Sequence, residues 1–396
     1  MKIALICPYH LGRPGGVLDH VKELRNELVR RGHYVKIITP LPRDYEGPVP
    51  DEFITLGTSI NTTAFAGTAW QMSFSVDNDA IDEVFDREKF DVLHFHEPWI
   101  PMWSRQLLAR AKAPTVGTMH GRFYDTMTAK TVTPFVNTYI KPIIKYIEVF
   151  TAVSPASVAG TLNNKNSGLA DREVTIVPNG IDIEKFKPKP GSAKPKTNLK
   201  TILYVGRLED RKGVKYLLMA YNELCQKRSG VRLVVAGTGV DDKKLKTYVE
   251  DNSIPRVDFL GFVSDEEKIK LLHEADLFCS AAVYGEAFGI VLLEAMAADV
   301  PIVAGDNAGY SSVMIDSGAL SLVNPKDTVD FARRLEIFLF DESVRALWKK
   351  WARTYIQNFT FTKIADQYEK VYKEAIELHA NKAKAKSRFS LRRYFR

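Results

Sequence analysis

Long apolar runs are missing from this chain of 396 residues. None approaches the roughly 20 consecutive apolar residues that cross a bilayer, so no transmembrane helix is expected. The opening MKIALICPYHLGRPGG has an apolar stretch too short for a signal peptide. Pro8 and glycines follow it where a small-residue cleavage site would stand, so it reads as a first β-strand. Cysteine is scarce: Cys7, Cys225 and Cys279 lie far apart in apolar surroundings. That excludes a disulfide framework and points to a reduced compartment. The full GxGxxG dinucleotide fingerprint is also absent, since neither the glycine pair Gly15–Gly16 nor VAGTGVDD (Val235–Asp242) completes it. No short-period repeat is present. His94, His96 and Glu97 lie together on one stretch but lack a third ligand at metal spacing, so a packed or hydrogen-bonded role is expected for His94. Asp77-Asn78-Asp79 resembles a DxD metal signature, yet it leads into AIDEVFDREKF and reads better as a helix cap. Neither a metal nor a cofactor is expected.

Acidic residues are missing from one place only. From Leu378 to Arg396 there are seven Lys and Arg and no Asp or Glu. Without that tail the chain holds 48 basic and 48 acidic residues, so the net charge of +7 belongs to the tail and not to the body. On a helical wheel Leu391, Tyr394 and Phe395 gather on one side, and Arg392, Arg393 and Arg396 gather on the other, with Arg388 and Phe389 as the exceptions. A basic face beside an aromatic face suits an anionic membrane surface; the alternative is a disordered, solvated basic end. A neutral body and few aromatics in the tail argue against nucleic acid. Oligomeric state is not legible.

What is present is alternation. KIALICP, YVKIITP, DVLHFHEP, TVGTMH, VFTAVS and EVTIVPNG read as buried strands, with helical patterns between most of them. Val17–Arg31 carries Val17, Val21, Leu24 and Leu28 at helical spacing. A stretch with Pro188, Pro190 and Pro195 among six lysines then breaks the pattern and reads as a linker. The alternation restarts with TILYVGR, VRLVVAGTG, VDFLGF, DLFCSA and PIVAGD. This predicts an α/β protein of two Rossmann-like halves. The last 55 residues, with Trp348, Trp351, Tyr355, Tyr368 and Tyr372, read as helices.

Three stretches carry chemistry. In GEAFGIVLLEAMAA, residues Ala287–Ala298 form helix readily apart from Gly289, and the helix start offers unpaired N–H groups to a phosphate. Glu286 stands at that mouth and Glu294 about two turns on, so one helix could hold a sugar, a diphosphate and a ribose. The alternative is a buried helix with a favourable first-turn acid. In YVGRLEDRKG, Arg207 and Lys212 close a strand and suit a diphosphate, although Glu209, Asp210 and Arg211 between them also fit a solvated charge cluster. His120 ends a strand ahead of Gly121, where doubly wound folds place ligands.

Together PGGV, HFHEP, TMHG, IVPNGID, VGRLEDRKG, FLGFV and GEAFGIVLLEAMA resemble glycosyltransferase family 4, the retaining enzymes of the GT-B fold. Within it, ICPYHLGRPGGVLDHV and DVLHFHEP are most similar to the phosphatidylinositol mannosyltransferase branch. The resemblance implies two Rossmann-like domains facing a central cleft. Residues 1–187 would form the acceptor domain, 188–200 a linker and 201–360 the sugar-nucleotide domain. Residues 361–396 would form a C-terminal helix and basic tail packing back toward the N-terminal domain. It implies His120, Arg207, Lys212 and Glu286 as catalytic residues. Gly15, Gly16, Val263, Gly289, Ile290, Val291 and Glu294 would bind the donor, and Tyr9, Leu18, Glu97, Trp99 and Arg122 would stand on the acceptor side.

The activity implied is metal-independent, retaining hexosyl transfer, with mannose from GDP-mannose to a membrane lipid such as phosphatidylinositol foremost. The enzyme would then lie in the cytoplasm, peripheral on the inner face of the cell membrane. The alternatives are a UDP-hexose donor with a diacylglycerol or soluble glycan acceptor, and a sugar-nucleotide 2-epimerase.

Overall fold

The computed structural model describes residues 1–11, 15–43, 45–63, 69–73, 77–100, 102–121, 140–162, 172–188 and 198–394, with backbone only at 60–63, 69–73, 160–162 and 386–394. The chain divides into two compact units, Met1–Gly180 with Phe361–Arg396, and Ile181–Thr360.

The first unit is built on β1 (Lys2–Ile6), β2 (Tyr34–Pro42), β3 (Phe53–Thr63), β4 (Ala69–Ser73), β5 (Val92–His96), β6 (Thr115–Met119), β7 (Val149–Ala152) and β8 (Val174–Ile176). Their order is β4-β3-β2-β1-β5-β6-β7-β8. Only the β3–β4 pair is antiparallel. β1 shows why the apolar runs are continuous. Ile3 and Leu5 pack in one core, Ala4 and Ile6 in another, because helices cover both faces of the sheet. Helix α1 (Gly16–Arg30) buries Leu18, Val21, Leu24 and Leu28; Leu18 takes the first core position, which the sequence pattern assigned to Val17. Helix α2 (Asn78–Glu88) is capped by Asp77, whose side chain accepts the Asp79 N–H, as expected for that stretch.

The second unit holds β9 (Lys200–Val205), β10 (Val231–Ala236), β11 (Val257–Gly261), β12 (Leu277–Ser280), β13 (Ile302–Gly305) and β14 (Leu322–Val323). All pair in parallel, in the order β11-β10-β9-β12-β13-β14, which is the doubly wound Rossmann order. The unit begins at Ile181 and not beyond the proline-rich stretch. Ile181–Lys187 include α3 (Ile183–Phe186), whose Phe186 is buried and whose Phe186 carbonyl accepts from His273 Nε2 at 2.7 Å. Burial of one aromatic side chain therefore moves the boundary ahead of Lys187. Most of the 188–200 linker lies outside the described residues.

Two more helices of this unit matter below, α4 (Asp265–Glu274) and α5 (Ile290–Ala297). α5 starts later than Ala287. Gly289 adopts φ +100, outside the right-handed helical range, so α5 begins after it; a Cβ there would stand 2.6 Å from the Tyr310 ring, so glycine is the residue that fits.

The last helix, Phe361–Tyr394, belongs to the first unit. Ile364, Ala365, Tyr368, Val371, Tyr372 and Ala375, at helical spacing, join the core that includes Val21, Leu24 and Leu28 of α1. Arg31 reinforces the contact through Asp366 at 2.7 Å, and His33 through Glu369 at 3.0 Å.

Candidate functional site

Doubly wound sheets bind ligands beyond the carboxyl ends of their strands, where the strand order reverses. In the second unit that point lies between β9 and β12. Two loops meet there, Gly206–Gly213 and Ala281–Gly289. They are locked together by backbone: the Val283 N–H donates to the Arg211 carbonyl at 2.9 Å. Gly213, at φ +68, packs so closely that a Cβ would overlap the Ala281 carbonyl oxygen.

This contact delivers the side chains. Glu286 Oε1 accepts from Lys212 Nζ and from Arg211 Nη1, each at 2.8 Å. Arg211 Nε also donates to Glu209 at 2.9 Å, and the other Glu209 oxygen pairs with Arg207 at 2.9 Å. Burial would raise the Glu286 carboxyl, but Lys212 and Arg211 outweigh it and hold the group below its usual range. Arg207 is the exposed member, at 47%. Three cations thus face two carboxylates beside the start of α5. No side chain among the described residues caps that helix, and Ile290 and Val291 in its first turn are partly exposed. Such a set has the charge and the open N–H groups that suit an anion such as a diphosphate.

Glu294 follows on α5, buried, with Oε1 2.8 Å from Lys268 Nζ on α4. Burial raises its carboxyl against the pull of Lys268, while Glu294 and then Asp265 raise Lys268 against its own burial. Val263 is half-buried just ahead of Ser264, which caps α4 in a reciprocal box with Glu267. Its neighbour Phe262 is 71% exposed, a large apolar face that the sequence pattern did not single out.

In the first unit the reversal lies between β1 and β5. Gly15 precedes α1 with an extended φ of 178, which any residue can adopt, and a Cβ there would touch nothing within 4 Å among the described residues. Gly16 opens the helix beside it. Beyond β5 and β6 lies a histidine cluster. His96 Nδ1 and His120 Nε2 share a hydrogen bond of 2.8 Å, and the His20 ring on α1 lies 5.4 Å from that of His120. His94 bonds Tyr372 at 2.9 Å and Thr118 at 2.6 Å, the packed role expected for it. Burial lowers His120 to about 4, with Asn179 pulling the other way, and holds His20, His94 and His96 well below the normal imidazole value, so all four are neutral at pH 7.

Glu97, with a left-handed φ of +52, turns back to accept the His120 N–H at 2.6 Å and the Gly121 N–H. It therefore holds the loop that carries His120. Burial raises it from 4.5 to about 7, although both N–H bonds favour the carboxylate. The unfolded chain gives up this proton near pH 4.5 and the folded chain near 7, so this group costs stability as pH rises across that window. Glu97→Gln, which cannot ionise, is expected to gain stability relative to wild type between pH 5 and 8. Urea unfolding midpoints at the two pH values measure it, and a constant difference would refute the buried titration.

Of the acceptor-side candidates, Leu18 is a core residue, and Trp99 is buried with its ring stacked on Phe150. Tyr9 sits at the edge of the core, its carbonyl accepting from Thr39 at 2.7 Å. Arg122 lies outside the described residues. Among those described, no group of three His, Cys, Asp or Glu side chains is placed to hold a metal.

The sequence reading passed over Arg211, Lys268, Asn179 and His20. Arg211 and Lys268 stand in runs of mixed charge, and His20 shares no motif with His120.

The family description "Glycosyltransferase Family 4" fits residues 14–185, and "Glycosyl transferases group 1" fits residues 185–355. The phosphatidyl-myo-inositol mannosyltransferase of Mycobacterium leprae is 30% identical, covering 94% of this chain and 96% of that protein. The enzyme of that name from Mycolicibacterium smegmatis is 29% identical, over 94% and 93%. Among solved structures, sucrose-phosphate synthase from Thermosynechococcus elongatus superposes with a TM-score of 0.72 at 21% identity, over 94% of this chain and 98% of the other. Anabaena HepE in complex with UDP and glucose gives 0.68 at 19%, over 94% and 99%. These two likenesses speak to the fold, two parallel-sheet α/β domains of the GT-B class. The chain belongs to the family 4 glycosyltransferases, with a family 4 first half and a group 1 second half.

Proposed function

We propose that the protein transfers mannose from GDP-mannose to phosphatidylinositol at a membrane surface, with retention of configuration and without a metal ion. The observation that carries the reading is near-full-length similarity to relatives named phosphatidyl-myo-inositol mannosyltransferase. The geometry supports the chemistry. Arg207, Lys212 and the first N–H groups of α5 meet the charge that develops on the leaving diphosphate, in place of a divalent cation. Glu286 holds hydroxyls of the transferred sugar, and Glu294 those of the ribose. Glu286 is occupied by two cations and Glu97 by two backbone N–H groups, so neither is a free nucleophile. The C1–phosphate bond breaks as the C1–acceptor bond forms on the same face. The acceptor proton passes to the leaving phosphate oxygen.

The test incubates the protein with phosphatidylinositol vesicles and labelled GDP-mannose, UDP-glucose or UDP-galactose, with and without EDTA. Mannosyl lipid of α configuration, formed equally in EDTA, is expected. Transfer from a UDP-hexose alone, a β product, or loss of activity in EDTA would each overturn the corresponding part.

Among the described residues no helix is long and apolar enough to cross a membrane. The last helix runs to Tyr394, with Lys382 and Lys384 exposed. We assign membrane contact to this basic end, whose side chains from Lys386 lie outside the described residues. Each cation near an anionic leaflet contributes about 1 kcal/mol at most. Deleting Lys382–Arg396 is expected to lower binding to anionic vesicles by at least tenfold at low salt, leaving GDP affinity intact. Equal co-sedimentation of both proteins would exclude this role.

A further inference from the structure

Two cations share one oxygen of Glu286, and they are not equivalent. Arg211 is buried and fixed at both ends, Nε on Glu209 at 2.9 Å and Nη1 on Glu286 at 2.8 Å. Its backbone carbonyl is held by the Val283 N–H. A planar guanidinium bridging two carboxylates has little freedom to leave. Lys212 is a point charge on a flexible stem, paired with Glu286 at 2.8 Å. One of the pair is therefore built to stay and the other is able to move.

A buried carboxylate stripped of all its cations is costly, but one that keeps a bridging arginine is not stranded. We propose that Arg211 is the permanent counter-ion of Glu286, and that it thereby releases Lys212 from Glu286 to the donor's diphosphate. Arg211 is a positioning residue, acting through Glu286 and Lys212 without touching the substrate. The proposal rests on the donor-site reading above and adds to it a division of labour between adjacent cations. Among the described residues, Tyr204 and Tyr310 also feel the charge of Glu286 and stay neutral, because burial first and Glu286 second raise both phenols. Glu209 completes the set by tethering Arg211 from the far side and holding Arg207 on its other oxygen.

The consequence is specific. Without Arg211, Lys212 becomes the sole cation on Glu286 and is trapped there, so diphosphate affinity falls although no phosphate ligand has been removed. Removing the charge of Glu286 as well then frees Lys212 and restores affinity without restoring transfer.

The experiment measures GDP and UDP binding by calorimetry, and transfer kinetics, for wild type, R211Q, R211K, E286Q and R211Q/E286Q, with circular dichroism confirming the fold of each. R211Q is expected to bind the preferred diphosphate ~10-fold more weakly and to lose ~100-fold in kcat. R211K keeps the charge but cannot bridge, and recovers only part of both. R211Q/E286Q is expected to bind within threefold of wild type and to remain inactive in transfer. The acid limb of kcat/KM should also move to higher pH in R211K, because Glu286 loses part of what holds its carboxyl down. Weak binding in R211Q that E286Q does not rescue would make Arg211 a phosphate ligand itself and overturn the proposal. Unchanged binding and kcat in R211Q would overturn it too. Should R211Q fail to fold, R211K and E209Q, which leaves Arg211 tethered at one end, carry the same prediction at smaller amplitude. Wild type binding neither diphosphate would instead overturn the donor-site reading, and the proposal with it.

Discussion

Glu286→Gln is expected to lower kcat/KM for transfer by ~10²–10³-fold, the scale seen when one preorganised charged or hydrogen-bonding group is removed from a transition state. The reason lies in what that carboxylate organises. Its Oε1 fixes Lys212 and Arg211 at 2.8 Å, and through Arg211 and Glu209 it orders Arg207. An amide can accept one of those bonds but carries no charge to hold two cations, and it is a weaker acceptor for a sugar hydroxyl. The loss should appear mainly in kcat, with GDP affinity kept, since Lys212 stays available to the diphosphate. Stability should fall by only about 1 kcal/mol, because Arg211 keeps Glu209 and Lys212 can turn toward water. Steady-state kinetics with urea unfolding decide the matter. A kcat/KM within threefold of wild type would remove Glu286 from the active machinery.

Gly213→Ala should be the most damaging change of a single methyl group. The residue sits at φ +68, where a Cβ costs about 1–2 kcal/mol by itself. The added atom would also overlap the Ala281 carbonyl oxygen, which belongs to rigid backbone at the end of β12. Relief requires the β9 and β12 loops to separate, breaking the Val283–Arg211 backbone bond and drawing Lys212 away from Glu286. A total loss of roughly 3 kcal/mol is expected. For a domain of this size that lowers the Tm by ~10 °C. Transfer should drop with it, even well below the Tm, because the cations no longer share one carboxylate. Calorimetry and kinetics at 25 °C measure the two effects. A Tm within 2 °C of wild type would show that the loops are not pressed together.

Both predictions depend on neighbours that sequence spacing does not reveal. Arg211 precedes Lys212 in a run of mixed charge, Glu209-Asp210-Arg211-Lys212, which reads as solvated surface. Its partner Glu286 comes from the loop after a different strand, and only the parallel β9–β12 pairing brings the two together. The same holds for the histidines. His20 lies on α1, His94 and His96 on β5, and His120 beyond β6, so their contact depends on the order β1-β5-β6. Proximity to a motif in sequence does not say which way a side chain points: Leu18 and Trp99 both pack into the core.

By itself the sequence determined the strand–helix alternation, the two Rossmann halves, the capping role of Asp77, the glutamate pair of the GEAFG stretch and the basic end. These are local: each follows from periodicity, turn chemistry or charge within about 20 residues, and short-range sterics and hydrophobic patterning set them before any long-range contact forms. Only the tertiary structure decided where α5 begins, because Gly289 takes a left-handed φ there beside the Tyr310 ring. It alone decided that Ile181–Lys187 fold with the second unit, because Phe186 is buried there. It also decided that Arg211 is the inner counter-ion of Glu286, because a parallel sheet aligns the carboxyl ends of strands distant in sequence, and pairings across that edge exist only once the sheet has formed.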